Sequence, residues 1–79
     1  MIDVRLASTA AILTELGNRL RLQRLARLWT QQELAARAGV ALSAVKKLEA
    51  GGNANLRTMI KVVQAMSLTQ DLAQTFEPQ

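Results

Sequence analysis

Two short helical segments joined through a glycine constrain the fold of this chain more than any other feature. Thr30, followed three positions later by Glu33, matches a capping box, in which each side chain bonds the backbone amide of the other residue. The box predicts a helix over Gln31–Ala38, and Gly39 is suited to end that helix in the left-handed conformation. After a short turn, a second helix is predicted to begin at position 41 or 42 and to run to about Glu49.

The apolar positions of these two helices predict which of their faces are buried, because residues three or four apart share a helix face. The inward residues are expected to be Leu34, Ala35, Ala38, Val45 and Leu48, with Val40 filling the corner. The outer side of the second helix is expected to carry Leu42, Ser43, Ala44, Lys46 and Lys47. A braced helix with a polar outer side is the geometry that enters the major groove of DNA.

Helical periodicity continues on the N-terminal side. Ser8 or Thr9 can cap a first helix by offering an oxygen to free amides of its first turn. The inward face of this helix is expected to consist of Leu13, Leu16, Leu20 and Leu25. Gly17 and Asn18 interrupt the pattern, so they either kink one helix or end it and start another.

The C-terminal third is predicted to form one more helix and one short element. Asn55 can cap the fourth helix. The inward stripe of that helix is expected to be Leu56, Met59, Ile60, Val63 and Met66 (or Val62). Thr69 can cap a last element over residues 70–76, for which helix and strand both remain open. The chain is therefore predicted to be all-α, with four or five helices in a single domain, 1–79.

The composition excludes several classes of protein. The chain has no cysteine, no histidine, no paired carboxylates and no glycine-rich phosphate loop. No active site, cofactor or metal site is therefore expected, and the chain is not expected to be an enzyme. No apolar run approaches the roughly 18–20 residues of a membrane span, and no basic-then-apolar secretory signal is evident. The expected compartment is the cytoplasm.

The net charge of +4 is concentrated in the centre of the chain. Between Gly17 and Lys61, the acidic residues are only Glu33 and Glu49. The basic residues of this stretch are Arg19, Arg21, Arg24, Arg27, Arg37, Lys46, Lys47, Arg57 and Lys61. Such an excess suits a polyanion such as nucleic acid, although an arginine-rich solvated surface is the alternative.

The chain resembles the Xre/Cro-type helix-turn-helix family of bacterial and phage regulators over residues 16–68. The similarity is carried by the string LGNRLRLQRLARLWTQQELAARAGVALSAVKKLEAGG, most specifically by TQQELAARAGV and VKKLEAG. It implies a compact, lambda-repressor-like domain that binds double-stranded DNA. The chain is also similar to HipB-type antitoxins, which pair with HipA-type kinase toxins, through WTQ and NLRTMIKVVQAMSL.

The resemblance implies roles for individual residues. Gln31 lies where the family anchors the second helix to a phosphate and often touches the recognition helix. Lys46 lies beside the DNA backbone, and Arg57 lies where the start of the fourth helix contacts phosphate. The positions that touch base edges are Leu42, Ser43 and Lys47. Arg24 and Glu49 occupy positions that in many relatives form an ion pair between the first and third helices.

Three positions depart from the family pattern. The usual glycine before the segment that reads WTQ here is Leu28, so a bulky residue makes the turn or the turn differs. The frequent serine or threonine that opens the recognition helix is Ala41, which removes a cap. The usual polar residue beside it is Leu42, which suits a thymine methyl rather than a hydrogen bond, or packs against Trp29 or a partner.

The other assignments have alternatives too. Lys46 and Lys47 can be ordinary solvated residues of an exposed helix face. Ser43 can be a local cap, and Gln31 can bond the end of its own helix. Trp29 is expected to fill space in the core.

The predicted function is that of a repressor which binds an inverted-repeat operator as a homodimer. Two recognition helices would then enter successive major grooves. The expected dimer surface is the fourth helix together with the tail, residues 67–79. The alternative is an antitoxin that binds a HipA-type kinase toxin through Leu22 and Leu28, or through the tail, and also regulates its own operon.

Overall fold

The computed structural model describes residue 3 and residues 5–78, and over these residues the chain forms five α-helices and no strand. The helices are α1 (Thr9–Ala26), α2 (Gln31–Ala38), α3 (Leu42–Glu49), α4 (Leu56–Ala65) and α5 (Thr69–Ala73). The all-α prediction is confirmed, and the undecided last element is a helix. None of these five helices has both the length and the hydrophobicity needed to cross a membrane. Met1, Ile2, Val4 and Gln79, which the predicted domain includes, lie outside the described residues.

Side-chain caps begin the helices largely where the sequence predicts them. The Ser8 hydroxyl accepts from the Ala11 amide at 3.2 Å, and Asn55 Oδ1 accepts from the Thr58 amide at 2.8 Å. The prediction for α5 was wrong, because Thr69 is its first residue rather than its cap. The preceding residue is drawn into the core, and its amide bonds a carbonyl of α4, so the chain enters α5 without a side-chain cap.

The helix α1 passes through Gly17 without interruption. A Cβ atom at this position would lie 2.4 Å from the Leu48 carbonyl oxygen and 2.8 Å from that of Glu49. The glycine therefore allows α1 to cross the C-terminal end of α3 at backbone contact. This close crossing explains why a glycine interrupts the apolar pattern of α1 without ending the helix.

The core lies where α2, α3 and α4 meet. Its most deeply buried residues are Leu34, Ala35, Val45, Val62 and Met66. Packed around them are Leu20, Trp29, Ala38, Val40, Leu48 and Leu68. The inward residues predicted for α2 and α3, and the space-filling role of Trp29, are therefore confirmed.

The face predicted for α1 is only partly buried. Leu20 packs against the core, whereas Leu13, Leu16 and Leu25 each remain more than a third exposed. The reason is length, because α1 has 18 residues and α3, on which it packs, has 8. At 1.5 Å per residue these helices are about 27 and 12 Å long. The outer turns of α1 therefore extend past the core.

The stripe predicted for α4 is also partly wrong. Val62, Val63 and Met66 are buried, but Leu56 and Ile60 are exposed. Ile60 lies two positions before Val62, and a helix with 3.6 residues per turn carries it to nearly the opposite side. An exposed apolar strip therefore runs along the N-terminal half of α4.

The helix α1 ends in a left-handed residue that is not glycine. Leu28 has φ +60°, its amide donates to the Leu25 carbonyl at 3.0 Å, and the Trp29 amide donates to the Arg24 carbonyl at 3.4 Å. This pair of bonds is a Schellman motif, in which glycine is the usual left-handed residue. The turn thus keeps the geometry of a glycine turn, and the Leu28 side chain is 90% exposed.

Candidate nucleic-acid interface

The candidate interface is built on α2 and α3, and local bonds define both ends of α2. At the start, the Thr30 amide donates to Glu33 Oε1 at 3.1 Å, and the Glu33 amide donates to the Thr30 hydroxyl at 3.0 Å. At the end, Gly39 has φ +69° and the Val40 amide donates to the Ala35 carbonyl at 3.1 Å. The predicted capping box and glycine turn are both confirmed.

The capping box also has an electrostatic consequence for Glu33. The hydrogen bond from the Thr30 backbone amide, and next the bond with its hydroxyl, lower the pKa of the Glu33 carboxyl below its ordinary value. A carboxylate in the first turn also interacts favourably with the positive end of the helix dipole. Glu33 therefore supports α2 in its charged form.

The helix α3 has a buried face and an exposed face. Val45 is fully buried, and Ser43 and Lys47, two positions on either side of it, are exposed. Because two positions correspond to about 200° around a helix, Ser43 and Lys47 lie together on the side opposite Val45. Lys46 is also exposed. The three polar residues predicted on the outer side of α3 are therefore accessible.

Leu42 and Ala44, which were also predicted on the outer side of α3, are partly buried. Leu42 packs against the core because it lies three positions before Val45, on the same helix face. The prediction of an outward Leu42 was wrong in this respect, because Leu42 packs against the buried core of the chain itself. Its capacity to contact a base is correspondingly reduced.

The start of α3 carries no side-chain cap. Ala41 precedes the helix and offers no oxygen to its first amides. Within the described part of the chain, no hydrogen bond engages the Ser43 hydroxyl, so Ser43 does not act as a local cap. The first turn of α3 therefore presents uncapped backbone donors next to an available hydroxyl group.

A buried ion pair braces α3 from behind, as the resemblance implies. Arg24 Nε donates to Glu49 Oε2 at 2.7 Å, and its Nη2 donates to Glu49 Oε1 at 3.0 Å. Both residues are more than nine-tenths buried. Arg24 Nη1 also donates to the Trp29 carbonyl at 2.7 Å. This two-pronged pair ties the C-terminal end of α3 to α1 and to the loop that precedes α2.

Gln31 joins this network rather than bonding the end of its own helix. Its Nε2 donates to Glu49 Oε1 at 3.1 Å, so the side chain contacts α3 as the resemblance implies. Gln31 is only half-buried. An amide nitrogen carries two hydrogens, and the second is not used by this bond.

Two arginine contacts were not predicted from the sequence. Arg27 donates from Nη2 to the Met66 carbonyl at 2.6 Å, which joins the C-terminal ends of α1 and α4. Arg37 lies over the Trp29 ring, with Cζ 4.2 Å from the ring centre, in a cation–π contact. Neither pair has a helical spacing in the sequence, so only the tertiary fold reveals them.

Five basic residues keep their charge available to a ligand. Arg24, Arg27 and Arg37 are engaged as described, and Arg19 lies 3.5 Å from Glu15. Over residues 5–78, exposed basic side chains with no ion-pair or cation–π partner are Arg21, Lys46, Lys47, Arg57 and Lys61. Two of these belong to α3 and two to α4. Arg57 lies in the first turn of α4, beside the free amides of that helix end.

A family model described as helix-turn-helix matches residues 20–73, which is more than half of the chain. The match begins in the second half of α1 and ends with α5, so it includes every predicted contact residue and the buried ion pair. No curated protein matches the chain.

Proposed function

Because the chain belongs to the Xre/Cro-type helix-turn-helix family of DNA-binding regulators, we propose that it represses transcription by binding an inverted-repeat operator as a homodimer. Bound near a promoter, such a dimer blocks access of the polymerase. The observation that carries this proposal is the contrast between the two faces of α3. One face is fixed by Val45 and Glu49, and the other presents Ser43 and Lys47 to solvent.

The proposed base contacts come from the exposed face of α3. A helix is about 10–12 Å across, and the major groove is about 12 Å wide, so α3 can enter it with its side chains. Lys47 is suited to donate to guanine O6 and N7, and Ser43 can donate or accept. Leu42 contributes at most a contact with a thymine methyl, through the accessible part of its half-buried side chain.

The proposed phosphate contacts come from Gln31, Lys46 and Arg57. These contacts position the protein on the duplex without reading its sequence. The bond from Gln31 to Glu49 supports a fixed orientation of the amide group, whose second hydrogen then meets a phosphate oxygen. Arg57 adds its charge to the free amides at the start of α4.

The dimensions of the protein are compatible with a dimer on one face of DNA. The described residues span 34 × 26 × 23 Å. Operator half-sites lie about 34–36 Å apart, one turn of the duplex, so two adjacent copies match that spacing. The proposed dimer surface is the exposed strip of α4 together with the tail from residue 67, because α5 has no buried residue of its own.

Fluorescence anisotropy with the DNA upstream of the gene tests this function. Lys46 and Arg57 of two copies neutralise four phosphates, so log affinity is expected to fall against log salt with a slope of about −4. Affinity for a scrambled duplex of equal length and composition is expected to be much lower. Equal binding to both duplexes would contradict sequence-specific repression, and binding without salt dependence would contradict the phosphate contacts.

A second candidate function, the antitoxin of a HipA-type kinase toxin, is favoured by the exposed leucines of α1 and its end. Leu28 is 90% exposed in a left-handed turn, and Leu22 is half exposed. Neither residue belongs to the proposed DNA-binding face, so both are available to a protein partner. Coexpression with the neighbouring gene product tests this candidate. Recovery of a complex that Leu28→Ser disrupts is expected, and the absence of any complex would rule the candidate out.

A further inference from the structure

An apolar groove separates the N-terminal halves of α1 and α4. These helices meet at their other ends, where Arg27 donates to the Met66 carbonyl, but they do not pack closely along their length. The groove has a volume of about 170 Å³ and is lined mainly by Leu13, Leu16, Leu20, Leu48, Leu56 and Met59. An apolar cavity of about 150 Å³ holds a benzene molecule, so this groove has room for one aromatic ring.

An aromatic ring without a packing partner lies on the C-terminal tail of the same chain. Phe76 is 97% exposed, and the preceding helix α5 does not pack closely against any other helix. On the groove side, Leu56 is 68% exposed. Burying a phenylalanine side chain contributes roughly 1.5–3 kcal/mol, so contact between these two surfaces is favourable.

The charges of α4 and of the C-terminal tail are opposite in sign. The charged residues of α4 are Arg57 and Lys61, both basic. After Lys61, the only charged residues of the chain are Asp71 and Glu77, both acidic. The helix that forms one wall of the groove is therefore basic, and the segment that carries Phe76 is acidic.

Two-fold symmetry brings these two surfaces together between copies. The ten residues of α4 make it about 15 Å long. If two α4 helices pair antiparallel across their exposed strips near Ile60, the C-terminal end of each helix lies beside the N-terminal end of the other. The tail of each copy then begins next to the partner's groove, and one isologous contact buries both.

We propose that Phe76 of each copy inserts into the α1–α4 groove of a second copy, with Glu77 directed towards the partner's Lys61. This inference rests on the homodimer of the proposed function and names the residues that form it. Lys61 takes this role because Arg57 is assigned to a DNA phosphate. The exchange covers the exposed apolar strip of α4 and the groove wall in one interface.

Sedimentation equilibrium of the full chain without DNA tests the role of Phe76. Phe76→Ala is expected to weaken dimerisation at least tenfold. Leu28→Ala is the matched control, because Leu28 is 90% exposed and also left-handed, with φ +60° against +54° for Phe76. The control is expected to leave the dimer unchanged. Equal dimerisation of both variants and the parent chain would overturn the proposal.

Charge reversal tests the orientation of the tail. Lys61→Glu and Glu77→Lys are each expected to weaken the dimer severalfold, and the double variant is expected to recover most of the loss. Single variants without effect, or a double variant that is weaker than both, would contradict the pairing of Glu77 with Lys61.

Disulfide trapping distinguishes a partner's groove from the chain's own groove. The chain has no cysteine, so introduced thiols have no competitor. A mixture of Leu56→Cys and Phe76→Cys chains is expected to form a linked heterodimer faster than a mixture of Leu28→Cys and Phe76→Cys chains. An internal disulfide in a chain that carries both Leu56→Cys and Phe76→Cys would show that the tail covers its own groove, and would overturn the exchange.

The readouts separate this inference from the proposed function. A dimer that Phe76→Ala leaves intact overturns the exchange but retains the operator-binding dimer. A dimer that needs Phe76 but does not bind DNA retains the exchange and overturns the repressor. A chain that stays monomeric at all concentrations overturns the dimer in both proposals.

Discussion

The helix α1 packs in opposite ways on its two neighbours. Against α3 the contact is so close that a Cβ at Gly17 would lie 2.4 Å from a carbonyl oxygen, and the buried pair of Arg24 and Glu49 lies beside it. Against α4 the N-terminal halves diverge and leave an apolar groove. The side of α1 that faces α3 is therefore closed by backbone contact and a charge pair. The adjoining side that faces α4 is open, and Gly17 lies at the border between the two.

This difference in packing agrees with the proposed functions of the two sides of α1. A recognition helix reads bases only if its orientation is held closely, since hydrogen bonds weaken steeply with misalignment. The closed side of α1 supplies that support through Glu49, which also contacts Gln31 of α2. The open side has no such requirement, and its exposed apolar residues are available to a second molecule. Tight packing behind the proposed recognition helix thus coexists with an exposed apolar surface along α4.

The largest expected effect comes from breaking the closed side at Glu49. Glu49→Ala leaves the Arg24 guanidinium buried without its partner, and such a change costs about 3–5 kcal/mol. The matched control is Asp3→Ala, because Asp3 lies 2.9 Å from Arg5 in an ion pair of two exposed side chains, and such pairs contribute little to stability. Urea unfolding followed by circular dichroism measures both. Equal losses would mean that the buried pair does not support α3.

A smaller loss is expected from Gly17→Ala. In an open helix this change would stabilise by up to about 1 kcal/mol, because alanine is the better helix former. Here the new methyl meets the Leu48 and Glu49 carbonyls, and overpacking of this kind costs about 1–3 kcal/mol. Thermal unfolding is expected to show net destabilisation of the Gly17→Ala variant. Asn18→Ala, at an exposed position of the same helix, is expected to be slightly stabilising. A stabilised Gly17→Ala variant would show that α1 and α3 are less closely packed than described.

One substitution at the end of α1 and one at the end of α2 are expected to change the free energy of unfolding by about 1 kcal/mol each, in opposite directions. Leu28→Gly removes the cost of a left-handed non-glycine residue and is expected to stabilise the chain. Gly39→Ala introduces that cost at φ +69° and is expected to destabilise it, although its Cβ would meet no atom within 4 Å. Chemical denaturation of both variants compares them. If Leu28→Gly destabilises, the exposed leucine has a stabilising contact within the single chain.

The smallest effect expected is a pH dependence at the start of α2. Because bonds from Thr30 lower the pKa of Glu33 in the folded state, the capping box stabilises above the unfolded carboxyl pKa of about 4.3. This stability is lost as the pH falls through the lower folded pKa. Glu33→Gln keeps the box without a titrating group. The difference in unfolding free energy between the two chains is expected to shrink on acidification, and a constant difference would contradict this assignment.

Local sequence signals predicted the DNA-binding half of the fold. The capping box at Thr30 and Glu33 and the glycine turn at Gly39 act through bonds between near neighbours, so the sequence alone defines both ends of α2. The pairing of Arg24 with Glu49 followed from the family resemblance. For Gln31 the resemblance implied only a contact with the recognition helix. It did not identify Glu49 as the partner, because the geometry of that bond depends on how α2 and α3 cross.

Periodicity was less informative where a helix extends past the core. It identified the apolar positions of α1 and α4, but it cannot tell what covers them. Leu13, Leu16 and Leu56 therefore appeared inward, although none of the residues that the structure describes buries them fully. Leu42 was assigned to the outer side because only Val45 and Leu48 of α3 were placed inward, although Leu42 lies three positions before Val45 on the same helix face. These errors lie mostly on the open side of the molecule.

The central claim is that the exposed face of α3 reads bases while its neighbouring lysine contacts the backbone. Titrating the parent chain, Lys47→Ala and Lys46→Ala against operator and scrambled duplex tests it most directly. Lys47→Ala is expected to cost about 1–3 kcal/mol on the operator and little on the scrambled duplex. Lys46→Ala is expected to weaken both duplexes alike and to flatten the salt dependence. Equal losses on both duplexes for Lys47→Ala would contradict the account.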